Sequence, residues 1–585
     1  MKGIRHGLTF GPMKTSRYCF AVWLALVSGI STLRSATSDL WGKAGERWTP
    51  SSPLPDFSFA GYRMGTAEPV VPEARVSVKD FGATGDGSTD DTEAILKAIA
   101  ASPGKVIFFP VGRYVITKFL QITQSGTVLQ GAGTALTTLL MPVPMNTISP
   151  RVFNNPASSI ATTLYSWSGG MISLAGSGYA GETLSIISAA AKRGDTTLAV
   201  SDVSRLEVGS RVVLELTDNS ARTLLAHVYR GDSGDLSKLK ENYALTQVLT
   251  VVKVEGQTLT VDRPLRADVD TGWTPVLKRY APTLENCGVE HLTIEFPATP
   301  YRGHWTEEGF NPVEIKGAAD CWLRDLKIVN PDSGPFIIGS VFCTLDGIEF
   351  VSTRKSAVED IQGHHGISLM GVDCLCRNFT IGMKFFHDLT VSQGSTGNVF
   401  SHGKAADLAI DNHRHGPYEN LFSQLDAGLG TRLWTSGGSA GQGKNAAAGA
   451  VFWNIQTKKD IVMPSADFAP DGGLVLAGLK LRTRKNEVGK HHFENINPGR
   501  LEPPDLHEAQ RTKRLGPASQ AAGTAEKELT WTNTAGRSIS ARFVRVEGAN
   551  VLLRMDGRDI PVPLSSLSAA SIQQAQSLEQ ERARQ

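Results

Sequence analysis

With 585 residues, 59 Lys and Arg against 57 Asp and Glu, and a formal net charge of +2, the chain carries no bulk field for nucleic acid or an anionic membrane. Any binding specificity must therefore be local. The length suits one large domain with a small module attached.

From the N-terminus, Lys14 and Arg17 precede the apolar run Tyr18–Val27, and the small residues Ser28, Gly29 and Ser31 follow. This pattern predicts a secretory signal over residues 1–36. The run is short for a bilayer span, so the expected mature protein is secreted, periplasmic or on the cell surface, with no membrane span. Residues 37–75, rich in Pro, Gly, Ser and aromatics, read as an irregular but ordered arm. The turn Gly85-Asp86-Gly87 leads into Asp90, a helix N-cap with Glu93 placed to close a capping box. The helix that follows, apolar at Ile95 and Ile99, would cover the open edge of a first strand layer. Capping also accounts for Asp90-Asp91 better than a hydrolytic carboxylate pair does.

The run Val78–Thr92, then Phe108-Phe-Pro-Val-Gly-Arg-Tyr114 and Leu129-Gln-Gly-Ala-Gly133, closely resembles the opening of bacterial pectate-lyase-superfamily proteins. Polygalacturonases and phage-type depolymerases share that opening. Asp411–Ser423, Arg432–Gly438 and Phe452–Asn454 look like an uncharacterised subgroup of the same superfamily. The resemblance covers roughly residues 50–515 and implies a right-handed parallel β-helix acting on polysaccharide. The polygalacturonase Asn-Thr-Asp, Gly-His-Gly and Arg-Ile-Lys are missing, Gly363-His-His-Gly366 being a near miss, which disfavours that hydrolytic machinery.

Residues 182–280 break the rhythm with hairpin-like runs such as Val208–Leu214 and Gly256–Val261, and read as a small β insertion. The coil then becomes explicit. Cys287, Cys321, Cys343 and Cys374 each open an eight-residue pattern with apolar residues at +2, +5 and +7. Such a recurring half-buried strand is a solenoid whose rungs bury their faces only on one another. Continuing through Asn398, Asn420 and Asn454 puts later rung starts at 394, 416 and 450. The shared Cys position predicts a stack of buried free thiols. The fold class expected is thus all-β, a right-handed parallel β-helix over 76–514 with a capping helix and a β insertion.

Stacked rungs about 4.8 Å apart form a grid for a long polymer. Three overlong turns carry its candidate chemistry: Tyr301, Arg302, His304, Trp305, Glu307 and Glu308 in the first; Arg354, Lys355, Glu359, Asp360, His364 and His365 in the second; Arg432, Trp434 and Lys444 in the third. The densest cluster is Asp411-Asn412-His413-Arg414-His415. With Leu408 and Ile410 inward, alternation sends Asp411, His413 and His415 outward, where an Asp can raise the basicity of a His. The same residues also suit a turn that satisfies local backbone. His365 and His387 occupy equivalent places on adjacent rungs, and parity alone points both inward.

The expected catalytic set is Asp411, His413, His415 and His365, with Arg414, Arg432, Tyr418, Lys444 and Trp434 binding substrate. The chemistry expected is β-elimination on an anionic, uronate-containing glycan, with glycoside hydrolysis or simple glycan binding as competing readings. No cofactor is called for with certainty; calcium is left open, because ligands converging in three dimensions are invisible in sequence.

Residues 515–528 read as a linker and 529–585 as a separate unit, with Asp556-Gly557 a hairpin turn. The unit is similar to a small Src-homology-3-like barrel of secreted planctomycete and verrucomicrobial proteins. That implies docking to a cell surface or matrix.

Overall fold

The computed structural model describes residues 35–154, 162–239, 242–356, 358, 360–482, 490–516, 528–555 and 558–584. The expected signal segment from Lys14 to Ser31, Glu359, most of the 515–528 linker and the Asp556-Gly557 turn lie outside them.

Two left-handed corners shape each rung. Directly before the Cys position, Asn286, Asp320, Phe342, Asp373, Gly397, Glu419 and Gly449 have φ between 50° and 76°. Four residues after it, His291, Asp325, Gly347, Asn378, His402, Gln424, Asn454 and Gly478 have φ between 48° and 72°. Short polar residues and Gly dominate because they tolerate this region best. Between and beyond the corners the chain is extended, and successive rungs pair in parallel: Gly288 with Trp322, Trp322 with Thr344, Thr344 with Leu375, then Val399, Leu421, Val451 and Val475. The result is a right-handed parallel β-helix.

Cys287, Cys321, Cys343 and Cys374 form one inward column of fully buried free thiols. The column does not continue at 394 and 416. It runs through Asn398 and Asn420, whose side-chain oxygens accept the N–H groups of Cys374 (3.0 Å) and Asn398 (3.1 Å). An amide ladder thus takes over from the thiol ladder, and Asn378 is a corner residue equivalent to His402.

A second sheet stacks seven parallel strands in chain order: β1 (Leu120–Ile122), β2 (Ile172–Ala175), β3 (Val313–Lys316), β4 (Phe336–Val341), β5 (Gly363–Val372), β6 (Phe385–Val391) and β7 (Ile410–Asn412). Its inner residues Ile315, Ile337, Leu369, Leu389 and Ile410 meet Leu323, Leu345, Phe400 and Phe422 in one continuous core. The helix Thr92–Ala101 closes the first layer with Ile95 and Ala98 buried. The N-cap is Asp91 and not the expected Asp90, which still accepts the Thr92 N–H at 3.0 Å, while Glu93 pairs with Lys118 instead of closing a capping box.

Residues 180–280 form a six-stranded antiparallel sheet with its own core. It is fastened to the rungs by Asp373, which meets Arg263 at 2.7 Å and Arg266 at 2.6 Å with all three side chains buried. The C-terminal unit has four antiparallel strands (Glu528–Thr532, Ser538–Glu547, Asn550–Met555, Arg558–Pro563) followed by the helix Ala569–Arg584. Among the described residues it is an open meander where a closed barrel was expected. The helix accounts for this, because Ile572, Ala575 and Leu578 cover the apolar face that barrel closure would bury. Among the described residues, no helix is long and apolar enough to cross a membrane.

Candidate active site

Strands β5, β6 and β7 bring four imidazoles together, His364, His365, His387 and, just past β7, His413. His365 pairs with His387 across β5 and β6, and Thr390 of β6 pairs with Asp411 of β7. Parity would turn His365 and His387 inward with Ile367 and Leu389, but both rings lie outside the core, against Thr390 and Asp411. Alternation fails at Gly366 and Asp388, where the coils touch: a Cβ on Gly366 would stand 2.2 Å from the Asp388 carbonyl oxygen. The consecutive rings of His364 and His365 consequently enter one cluster, 4.1 Å apart.

The first overlong turn folds over these strands and adds His304. Asp332 fixes the turn by accepting the N–H groups of Glu308, Gly309 and Phe310 at 2.9–3.1 Å, and Arg354 pairs with Asp332 at 2.8 Å. His304 stacks on Trp305 (4.3 Å), meets His364 edge-on (4.3 Å) and leans on Phe386 (5.0 Å). From His365 the cluster continues to His387 (5.0 Å) and His413 (5.8 Å).

Asp411, fully buried, organises the far end. Its Oδ2 lies 2.6 Å from His413 Nδ1 and 3.3 Å from His387 Nδ1, and its Oδ1 accepts the Gly437 N–H at 2.8 Å. Burial works against its charge, but His387 and His413 hold its pKa far below the usual carboxylate range. Burial likewise disfavours a charged His413, yet the Asp411 charge and hydrogen bond outweigh it and raise that imidazole. Burial, then neighbouring imidazoles, push His364 and His365 well down. His387 is lowered mainly by burial despite Asp411, and His304 falls to about 4 first through partial desolvation under its neighbours and then through the imidazoles of His387 and His413. Glu307, under His364, is pushed up to about 7 by burial, against hydrogen bonds from Tyr301 (2.6 Å) and Ser166 (2.8 Å).

Of the expected site residues, Asp411, His413 and His365 are thus brought together, although Asp411 is covered rather than exposed. The others lie elsewhere. Arg414 and His415 both have φ of 60°, so alternation ends at His413. Arg414 turns to the Gly443 carbonyl and Asp467, and the His415 N–H meets the Gln442 carbonyl. Arg432 borders the cluster, but its guanidinium donates to the Phe385, Phe386 and Asp407 carbonyls. Trp434 packs on Phe452 and donates to the Val462 carbonyl, and Lys444 is held by Asp232 and the Ala466 carbonyl. Tyr418 is buried against the insertion, beside a separate cleft of about 640 Å³ that Arg230 and His492 also line. His304, His364 and His387 are the additions. The His364-His365 doublet, the matching offsets of His365 and His387 and the presence of His304 on an overlong turn were visible in sequence; the contact of His304 with His364 was not.

Among the described residues, His387, Asp411 and His413 each offer one donor atom within 4.8 Å of the other two, close enough to address one ion. Two imidazoles and one carboxylate do not suit calcium, which takes six to eight oxygens.

Residues 75–155 match a family model described as Rhamnogalacturonase A/epimerase, pectate lyase-like. That match is to a pectate-lyase-like family over this stretch alone, and the fold around it is a parallel β-helix. Two curated proteins align over a similarly short stretch. The pre-neck appendage protein of Bacillus phage B103 is 46% identical over 72 residues, 12% of this chain and 8% of its own length. The glucan 1,3-beta-glucosidase of Cochliobolus carbonum is 35% identical over 79 residues, 12% of this chain and 10% of its own. Each alignment therefore spans a tenth or less of the relative. Among solved structures, the tailspike protein gp49 of Pseudomonas phage LKA1 superposes with a TM-score of 0.40 at 12% identity, over 69% of this chain and 70% of that one.

Proposed function

We propose that this parallel β-helix protein is an exported polysaccharide-degrading enzyme that cleaves a uronate-containing glycan by β-elimination. The observation that carries the reading is a cluster of five imidazoles whose carboxylates sit beneath it. Two-carboxylate hydrolysis needs both carboxyl groups facing the scissile bond, about 5–9.5 Å apart. Here Asp411 is fully buried and Glu307 only 4% exposed, so neither faces a sugar. Elimination instead asks for a base at C5, a proton donor at the leaving oxygen, and neutralisation of the uronate carboxylate. His304 is exposed and, among the described residues, its ring carries no hydrogen bond, which leaves a nitrogen free as base. His413 turns Nδ1 to Asp411, so Nε2 on the opposite edge of its half-exposed ring is placed as the donor. Trp305 and Phe386 beside His304 offer apolar surfaces for a sugar ring. Activity on glycan is also in keeping with the glucosidase relative and the family model.

Purified protein incubated with a panel of uronate glycans should release products with a conjugated double bond, read by ultraviolet absorbance. His304→Ala and His413→Ala should each lower the rate about 10²–10⁴-fold. Saturated reducing ends would instead mark a hydrolase, and unchanged rates in both variants would remove the imidazoles from the chemistry.

A further inference from the structure

We infer that His387, Asp411 and His413 form a three-ligand site for a late first-row divalent ion such as zinc. The donor set is the first ground: two imidazole nitrogens with one carboxylate oxygen match zinc chemistry rather than that of calcium or magnesium. The second is convergence. Donors about 2.0–2.1 Å from one ion lie at most about 4 Å apart, and these three already fall within 4.8 Å, so small ring rotations close the set.

The third ground is independent of spacing. His387 is 8% exposed, and its Nδ1 is buried without a hydrogen-bond partner while aimed at Asp411 Oδ2, 3.3 Å away. A buried polar atom without a partner is costly, and a metal ion relieves that cost directly. The surroundings also hold the ligands in place. The Gly437 N–H fixes Asp411 Oδ1 at 2.8 Å, which leaves Oδ2 turned to the imidazoles. Thr390 donates to Oδ2 at 3.4 Å and contacts His365 Nδ1 at 3.2 Å, tying the next ring to the same carboxylate. Outer contacts of this kind orient metal ligands.

Three protein ligands leave a fourth position open, the arrangement of catalytic rather than structural zinc. His413 is 29% exposed, so the opening faces the side from which a glycan would approach. The inference rests on the lyase reading in that an ion beside the imidazoles would neutralise a uronate carboxylate, with His413 then serving as its ligand rather than as the proton donor. Metal binding is nevertheless read without substrate, so either idea can fail alone.

The full-length protein, stripped with a chelator, is titrated with zinc against a chromophoric competitor, and its metal content is measured after dialysis. One zinc per chain is expected, with Co²⁺ in its place giving the visible bands of a low-symmetry site. His387→Ala and Asp411→Ala should each weaken zinc by more than about 100-fold, beyond the loss typical of outer contacts. His304→Ala, outside the ligand set, should bind zinc as the parent does. Circular dichroism separates lost binding from lost folding, and His387→Asn offers a gentler substitution if the alanine variant unfolds. No zinc above the level of a variant lacking all three ligands, or undiminished zinc in a folded His387 variant, would overturn the site. So would retention of calcium in preference to zinc.

Discussion

Glu307 shows how much of the candidate site rests on groups beneath it. The fold raises its pKa from an ordinary 4.5 to about 7, chiefly through burial, with the Asp332 charge adding to the effect. A raised carboxyl pKa means that the folded state holds the proton more tightly than the unfolded chain. That contribution is complete below about pH 4.5 and is lost as the pH climbs through about 7. At about 1.4 kcal/mol per pH unit, the loss across this window is on the order of 3 kcal/mol. Glu307→Gln keeps one acceptor, donates its NH2 to the other hydroxyl as an acceptor, and cannot ionise. Chemical denaturation at pH 4.5 and at pH 7.5 should show the variant losing clearly less stability between the two than the parent; equal losses would mean Glu307 is not the group that titrates. The residues readable from sequence were those two apart on one strand, such as Asp411 and His413, because alternation places them without knowledge of neighbouring coils. His304 was readable only as a residue of the first overlong turn; its contact with His364, which joins two coils about 60 residues apart in sequence, was not. Tyr418 and Lys444 misled because the two ends of the 416–450 turn pack toward the insertion, while only its middle, at Gly437, meets Asp411.

Among the strands, the decisive feature is a break in alternation. Gly334, Gly366 and Asp388 stack on successive coils with almost no clearance: a Cβ at Gly334 would lie 2.1 Å from the Gly366 oxygen, and one at Gly366 lies 2.2 Å from that of Asp388. Both obstacles are backbone atoms, so relief requires moving a whole coil. Gly366→Ala should therefore destabilise by at least about 1–3 kcal/mol. It should also lower turnover, because His364 and His365 immediately precede the displaced residue. A variant that melts like the parent would show that the coils have slack. The thiol column makes the opposite point about legibility. Its four Cys were read correctly because each sits at a fixed offset from apolar positions, and the corners on either side keep that offset rigid. The pattern was misread beyond Cys374, where Asn398 occupies the Cys position by making a side-chain ladder that resembles a different part of the repeat. Alkylation of the denatured, unreduced protein should label Cys287, Cys321, Cys343, Cys374 and Cys376, all free in the structure. Protected thiols would indicate pairing that the column does not contain.

On the scale of the whole molecule, the order of chain segments separates what closes the β-helix from what is appended to it. The helix Leu506–Leu515 belongs to the closure. Leu506 is buried with Trp41, Phe57 and Trp453, Gln510 exchanges hydrogen bonds with Phe57 and Pro55, and Asp505 meets His402 at 2.7 Å and Ser423 at 3.1 Å. The four strands and helix from Glu528 onward have a separate core of Trp531, Phe543, Val551, Leu553 and Leu567, with no member in the rungs. Two truncations should consequently behave in opposite ways. A chain ending at Gly516 should keep the unfolding transition of the β-helix and its turnover of soluble glycan. A chain ending at Pro504 should lose several kcal/mol, since it removes a fully buried Leu506 and leaves the buried side of the arm uncovered. Scanning calorimetry of the two, with turnover measured on the longer, checks both. Activity lost in a folded chain ending at Gly516 would show that the C-terminal unit acts on the site, and intact stability in the shorter chain would show that the helix is no part of the closure.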